Sequence, residues 1–195
     1  MVDVVLPPRL RGASHLGAAI GLPVLGAALI VAAHDTGARI ASAVYTLGVS
    51  AMYAVSATYH RGRWIPETKR RLRRLDHSTI LVSIAATYTP LTVVGLHGAA
   101  GTPLLIAVWA LTIAGVVVRN VWLDAPRWFA VSVYLAVGWL AVIAMPAMWD
   151  QIGGRATTLI ALGGLAYSIG AVVYARKRPD PFPATFGYHE VFHAL

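Results

Sequence analysis

The sequence predicts an all-α membrane protein, a bundle of seven transmembrane helices, from its hydropathy, its scarcity of charge and its long apolar runs. Of its 195 residues, 57% are hydrophobic and only 12% are charged, and the mean hydropathy is +0.66. A soluble domain carries about 25% charged residues. The net charge of +8 would suit a nucleic-acid binder, but the basic residues lie between apolar runs and form no face, which excludes nucleic acid as a partner. The absence of cysteine excludes disulfides and cysteine metal clusters.

The apolar runs define the expected spans of a single transmembrane domain over residues 1–195. A membrane helix needs roughly 20 mostly apolar residues. Six runs qualify: 16–33, 39–60, 76–96, 102–119, 128–147 and 155–175. A seventh apolar helix is predicted to begin near Ala184, after the proline-rich run 179–183, and to continue to Leu195. Its length of roughly 18 Å falls short of the roughly 30 Å hydrocarbon core, so we expect a truncated seventh helix.

Small residues within the spans are expected to serve helix packing. Gly17 and Gly21 are four residues apart on the first span, and the sixth span contains Gly163, Gly164 and Gly170. Glycines at such spacing let helix backbones approach closely in a membrane. We therefore expect these glycines to lie at helix contacts.

The basic residues predict the orientation in the plasma (inner) membrane. The N-terminal segment and the loops after spans two, four and six hold 14 of the 16 lysines and arginines, and only Arg39 and Arg155 lie on the other side. Positive loops remain in the cytoplasm. The sequence therefore predicts a multi-pass protein with a cytoplasmic N-terminus.

A few ionisable residues lie inside or at the edge of spans, where they are costly and indicate function. We interpret His15, His34 and His97 as interfacial polar residues. Asp76 begins span three, whereas Glu190 lies in helix seven.

Two pairs of polar residues have helical spacing and the same expected depth. Ser56 and His60 are four residues apart near the end of span two, and His189 and His193 are four apart on helix seven. Residues four apart share a helix face. The predicted orientation brings both pairs and Asp76 to the inner leaflet.

Three imidazoles and one water make a catalytic type of zinc site. We expect His60, His189 and His193 to be the ligands, and zinc to lower the pKa of the bound water and create a hydroxide nucleophile. Asp76 would hold the water or move its proton, and Ser56 would support the ligands or polarise a substrate carbonyl. The competing interpretation is that each pair results from helix packing alone.

Two further assignments remain open. His189-Glu190-Val191-Phe192-His193 matches the H-E-x-x-H pattern of zinc metalloproteases, in which the glutamate is the general base. Because His60 or Asp76 would supply the further ligand, spacing alone does not reject an embedded protease. His77 adjoins Asp76, and neighbours on a helix point about 100° apart, so we do not assign His77 to the site.

Three segments carry a resemblance to a known family. They are Ser56-Ala57-Thr58-Tyr59-His60; Arg74-Leu75-Asp76-His77-Ser78, continuing to Thr87-Tyr88-Thr89-Pro90; and Gly187-Tyr188-His189-Glu190-Val191-Phe192-His193. Together they resemble the hemolysin III branch of the progestin and adipoQ receptor (PAQR) family, over nearly the whole chain.

The resemblance implies seven helices, a cytoplasmic N-terminus and zinc held by His60, His189 and His193. It implies that Asp76 reaches the metal through water and that Ser56 lies close by. Adiponectin receptors of that family look like slow ceramidases, and the related alkaline ceramidase superfamily cleaves lipid amides. Relatives carry Gln as well as Glu after the first histidine of helix seven, which weighs against Glu190 as an obligatory base. The branch is also associated with hemolysis and with membrane-fluidity homeostasis.

The sequence therefore supports two main hypotheses. In the first, the protein is a zinc-dependent hydrolase of a membrane lipid amide or ester, with Asp76 as base and Ser56 assisting. In the second, it is a non-enzymatic sensor of the bilayer or a cytolysin, and zinc is a structural clamp between spans two and seven. The spans show no polar stripe that would line a substrate channel or a water-filled pore.

Overall fold

The computed structural model describes residues 8–96, 98 and 100–195, so His97 lies outside the described residues. The described chain folds into α-helices, with one isolated bridge and no strand. The helices are α1 (Ala13–Ala32), α2 (Thr36–Arg61), α3 (Pro66–Pro90), α4 (Gly101–Val121), α5 (Arg127–Gly138), α6 (Ala141–Arg176) and α7 (Tyr188–Ala194), and a π-helical turn (Leu91–Gly95) extends α3.

Five stretches of the described chain are long and apolar enough to cross a membrane. Four of them are α1, α2, α3 with its π-helical turn, and α4, and the fifth is the 50-residue stretch Arg127–Arg176. Large apolar side chains such as Ile20, Val24 and Leu25 are exposed on α1. An outward apolar face of this kind suits contact with lipid chains. The prediction of an all-α multi-pass membrane protein is therefore confirmed at this level.

The core of the bundle lies between α3, α4 and the last long stretch. Its buried members are Leu81, Ala85, Tyr88, Leu96, Leu104, Val108, Val137, Ala144 and Met148. Helix α2 packs between α1 and α3, and α7 packs against α6 and α1. This arrangement brings the C-terminal end of α2 close to the short α7.

Helix α3 begins ten residues before the predicted span at 76. Pro66 opens the helix at a position where its missing N–H is not needed. Glu67 then pairs with Arg71 at 2.7 Å, one turn later. The following lysine, arginines and leucine are good helix formers, so the charged segment extends the helix and is not a loop.

The segment after α4 also differs from the predicted spans 128–147 and 155–175. The Tyr88 hydroxyl donates a hydrogen bond to the Gly138 carbonyl at 2.5 Å and accepts one from the Ala141 amide at 2.8 Å, which fixes the turn between α5 and α6. Helix α6 then runs through the predicted loop and is interrupted at Gly153, with φ 82° and ψ 157°. Glycine adopts such a conformation without a steric penalty, so it is a natural break point.

Helix α7 begins at Tyr188, four residues after the predicted start near Ala184. Phe182 and Phe186 exchange backbone hydrogen bonds of 3.1 and 2.7 Å, and this turn delays the helix. The Glu190 carboxylate accepts a hydrogen bond from the Gly187 amide at 2.9 Å and caps the first turn.

The expected glycine contacts are found only in part. A Cβ on Gly17, Gly21, Gly163 or Gly164 would meet no described atom within 4 Å, whereas one on Gly170 would lie 3.2 Å from Leu195. Two other glycines are at close contacts. A Cβ on Gly26 would lie 2.1 Å from Thr46, and one on Gly48 would lie 2.4 Å from Ala86. The spacing of small residues alone therefore does not predict a helix contact, because the glycine must also face a neighbouring helix.

Candidate metal centre

Three histidines converge where the end of α2 meets α7. His60 lies in the last turn of α2, and His189 and His193 lie one turn apart on α7. Potential ligand atoms of the three side chains are all within 4.8 Å of one another. The structure therefore brings together the three predicted ligands from segments more than a hundred residues apart.

The geometry of these rings fits a zinc ion. The Nε2 atoms of His60 and His189 are 3.2 Å apart, and two nitrogens of a tetrahedral zinc site lie roughly 3.3 Å from each other, as Zn–N bonds of about 2.0–2.1 Å require. The Nε2 atom of His193 is buried and has no hydrogen-bond partner. An unpaired buried nitrogen is costly unless something binds it. A cation bound between the three rings would satisfy this atom.

Ser56 and Asp76 form a second buried polar pair next to the histidines. Ser56 lies one turn before His60 on α2, and its side chain is within hydrogen-bonding reach of Asp76 on α3. Both residues are buried. Among the described residues the ligand cluster comprises the three histidines, and Asp76 is outside it. This placement suits a carboxylate that acts beside a metal and does not ligate it.

Glu190 has structural partners for both of its carboxylate oxygens. One oxygen forms a salt bridge with Arg11, and the other accepts the Gly187 amide of the helix cap. A general base needs an oxygen that faces the reacting water. The geometry therefore disfavours the protease interpretation of the H-E-x-x-H pattern.

His77 lies beside a different partner. Its Nδ1 is 2.6 Å from Nη2 of Arg119, which is on α4 and only 2% exposed. Arg119 also donates to the carbonyls of Trp122 and Leu123 at 3.4 Å each. His77 is thus paired with Arg119, in agreement with its exclusion from the predicted ligand set. Arg119 was expected at the edge of a basic loop but lies inside α4, and its position at the end of an apolar run is the signal that marks it as costly.

His15 is not the interfacial residue expected from the sequence. It is 4% exposed, and its ring centroid lies 3.8 Å from that of His193 and 4.8 Å from that of Tyr53. By contrast, His34 is exposed, as expected. The predicted orientation gives His15 the same depth as His60. Depth therefore places His15 at the same end of the bundle, but no sequence signal indicates its contact with His193.

The model of the Haemolysin-III related family matches residues 5–195. The chain belongs to this family.

Bacterial and animal relatives share most of the chain. The hemolysin-3 homolog of Bacillus subtilis (strain 168) is 32% identical over 92% of this chain and 82% of its own length. Hemolysin-3 of Bacillus cereus is 30% identical over 82% of this chain and 73% of its own. The human monocyte to macrophage differentiation factor is 23% identical over 87% of this chain and 70% of its own. No solved structure matches the chain. The resemblance inferred from the sequence motifs to hemolysin III is thus confirmed.

In this Haemolysin-III related chain, a surface cavity of about 910 Å³ lies beside the start of α7. It is lined by Val172, Arg176, Lys177, Arg178, Pro179, Asp180 and Tyr188. Tyr188 directly precedes the ligand His189. The cavity therefore carries three basic residues and borders the first residue of the helix that holds His189 and His193.

Proposed function

We propose that this member of the Haemolysin-III related family is a zinc-dependent hydrolase of a membrane lipid amide or ester, similar in reaction to a ceramidase. The observation that carries the proposal is the pairing of three convergent histidines with a separate buried acid and hydroxyl, Asp76 and Ser56. A purely structural zinc site is normally closed by four protein ligands. Three histidines beside an acid that is not a ligand are typical of catalytic sites.

The chain's own residues have distinct roles in this proposal. His60, His189 and His193 would hold zinc, which when bound would lower the pKa of water and polarise a carbonyl. Asp76 takes the proton of the attacking water at its carboxylate and later returns it to the leaving amine or alcohol. The hydroxyl of Ser56, which is buried beside Asp76, would donate a hydrogen bond to that carboxylate and keep it oriented.

The proposed membrane arrangement has seven helices, with the N-terminus and the metal centre near the cytoplasmic leaflet of the plasma membrane. The 50-residue stretch Arg127–Arg176 would be about 75 Å long as one straight helix, more than twice the hydrocarbon thickness. The turn between α5 and α6 and the break at Gly153 permit two crossings. With α1 to α4 and the short α7, the count is seven. The basic segments then face the cytoplasm.

The basic cavity beside α7 supports access from the inner leaflet. Arg176, Lys177 and Arg178 are exposed on its wall. Anionic lipids of the cytoplasmic leaflet attract such clusters, at about 1 kcal/mol per basic residue. A lipid headgroup bound in this cavity would contact Tyr188, which directly precedes the proposed ligand His189 in the sequence.

The test is hydrolysis of a panel of ceramides and lipid esters by protein purified in lipid nanodiscs. We expect turnover by wild type, a loss of at least about a hundredfold in Asp76→Asn, where a general base is removed, and no turnover in His60→Ala. His34→Ala is the matched control, since His34 is exposed and outside the cluster. Full turnover by a His60→Ala protein without zinc would contradict the proposal.

A second candidate function is a non-enzymatic membrane protein, either a cytolysin or a sensor in membrane homeostasis, with zinc as a clamp between α2 and α7. The names of the two Bacillus relatives favour it. A structural clamp requires only the three histidines, so Asp76→Asn should retain both zinc and lysis of erythrocytes or liposomes. Loss of lysis with zinc and helices intact would count against this second function.

A further inference from the structure

His15 is the fourth imidazole of the cluster. It lies within electrostatic reach of His60, His189 and His193. Its ring meets the ring of His193 edge-on, with centroids 3.8 Å apart and an interplanar angle of 70°. Its nitrogens are nevertheless outside the set of three convergent ligands.

The Nδ1 atom of His15 is buried and makes no hydrogen bond to the described protein. An unpaired buried polar atom costs about 1–3 kcal/mol. A phenylalanine would fill the same space between Tyr53 and His193 without this cost. Packing alone therefore does not account for a histidine here, and the nitrogen is available to bind a group outside the described residues.

The segment before α1 fixes His15 in this position. The amides of Arg9 and Leu10 donate to the carbonyls of Ala184 and Thr185, each at 3.1 Å. Arg11 forms the salt bridge to Glu190 on α7. The start of α1 is therefore tied to the same short helix that carries His189 and His193.

Gly12 brings this segment directly against α2. It has φ 72°, and a Cβ there would lie 3.2 Å from Cβ of His60 and from Cγ of Arg61. The N-terminal segment thus contacts both elements that supply the histidine ligands, and it forms a third wall of the centre.

We propose that His15 is a binding residue of the centre outside the three-ligand set, whose Nδ1 hydrogen-bonds the oxygen, from water or a lipid carbonyl, that occupies the remaining zinc position. This inference rests on the proposed function, because it needs a metal at the three histidines. In this arrangement His15 binds the oxygen ligand and does not bind the metal.

The test uses the full chain with Co²⁺ in place of zinc, titrated with acetohydroxamate, which binds metals through oxygen. The visible Co²⁺ spectrum reports both the coordination and the affinity for the hydroxamate. Because one hydrogen bond contributes about 0.5–1.5 kcal/mol, His15→Phe is expected to retain Co²⁺ and bind the hydroxamate about tenfold more weakly. His15→Asn keeps a hydrogen-bonding atom near the Nδ1 position and should bind it with an affinity close to wild type. His34→Phe is the control.

The outcomes separate this inference from the proposed function. Equal hydroxamate affinity in wild type and His15→Phe, or an equal loss in His15→Phe and His15→Asn, would overturn the role of the nitrogen. Loss of Co²⁺ from His15→Phe with the helices intact by circular dichroism would make His15 a direct ligand and overturn the assignment outside the set. Failure of the wild type to bind metal would overturn the proposed function itself.

Discussion

Glu190→Ala should weaken metal binding although Glu190 is not one of the three proposed ligands. The change deletes two contacts, the salt bridge to Arg11 and the cap on the Gly187 amide. The Glu190 side chain is 4% exposed and that of Arg11 is 22% exposed, so the pair is mostly shielded from water. Breaking a buried pair costs about 3–5 kcal/mol, and a lost cap costs about 1 kcal/mol. Allowing for the partial exposure of Arg11, we expect a total of about 3 kcal/mol.

This loss falls on a helix of seven residues, which is too short to be stable on its own. Since α7 carries His189 and His193, about 3 kcal/mol corresponds to zinc binding weakened by roughly a hundredfold. The assay is competition with a chromophoric chelator in detergent. Glu190→Gln keeps an acceptor for the cap and loses the salt bridge. Of the about 3 kcal/mol, about 2 kcal/mol is then lost, and zinc binding should weaken roughly thirtyfold.

Glu67→Ala is the matched control for Glu190→Ala. Glu67 also pairs with an arginine, Arg71, but the two side chains are 73% and 75% exposed, so the pair contributes little. Zinc affinity should remain at the wild-type level. Wild-type zinc affinity in Glu190→Ala would refute the reasoning. Intact zinc binding with complete loss of peptide cleavage in Glu190→Gln would restore the protease interpretation.

Two further substitutions test the walls of the centre. Gly12→Ala should weaken zinc binding, because the new Cβ meets His60 at 3.2 Å. Gly98→Ala has the same backbone strain, since φ is 73° at Gly98 and 72° at Gly12, but its new Cβ would meet no described atom within 4 Å. It should therefore leave zinc binding unchanged. Equal zinc affinities in the two variants would contradict the contact argument. Arg119→Leu leaves Nδ1 of His77 without its partner and should lower the free energy of unfolding by about 1–3 kcal/mol. Zinc content should be retained, and its loss would place His77 and Arg119 in the centre.

The convergence of the three histidines was predictable because the sequence signals for it are local. Spacing of four residues gives a shared helix face, and loop charge gives a common depth, so His60, His189 and His193 followed from the sequence. His15 was missed because no partner lies near it in sequence. Its contact with His193 depends on how the N-terminal segment pairs with residues 184 and 185, and hydropathy carries no information about that pairing.

The helix boundaries were the least predictable feature of the fold. Hydropathy finds where a chain can enter lipid, but a helix extends as far as its backbone hydrogen bonds permit. Helix α3 therefore continues back to Pro66 through charged residues, whereas the turn at Phe182 and Phe186 delays α7 to Tyr188. The break at Gly153 depends on one backbone conformation inside a run that otherwise favours helix.

The central claim is that the three histidines hold one metal ion. Elemental analysis of detergent-purified protein, wild type beside His193→Ala and His34→Ala, tests it most directly. We expect about one zinc per chain in wild type and in His34→Ala, and none in His193→Ala, since three nitrogens with one open position define the site. Absence of metal from the folded wild type, or equal zinc in His193→Ala, would contradict it.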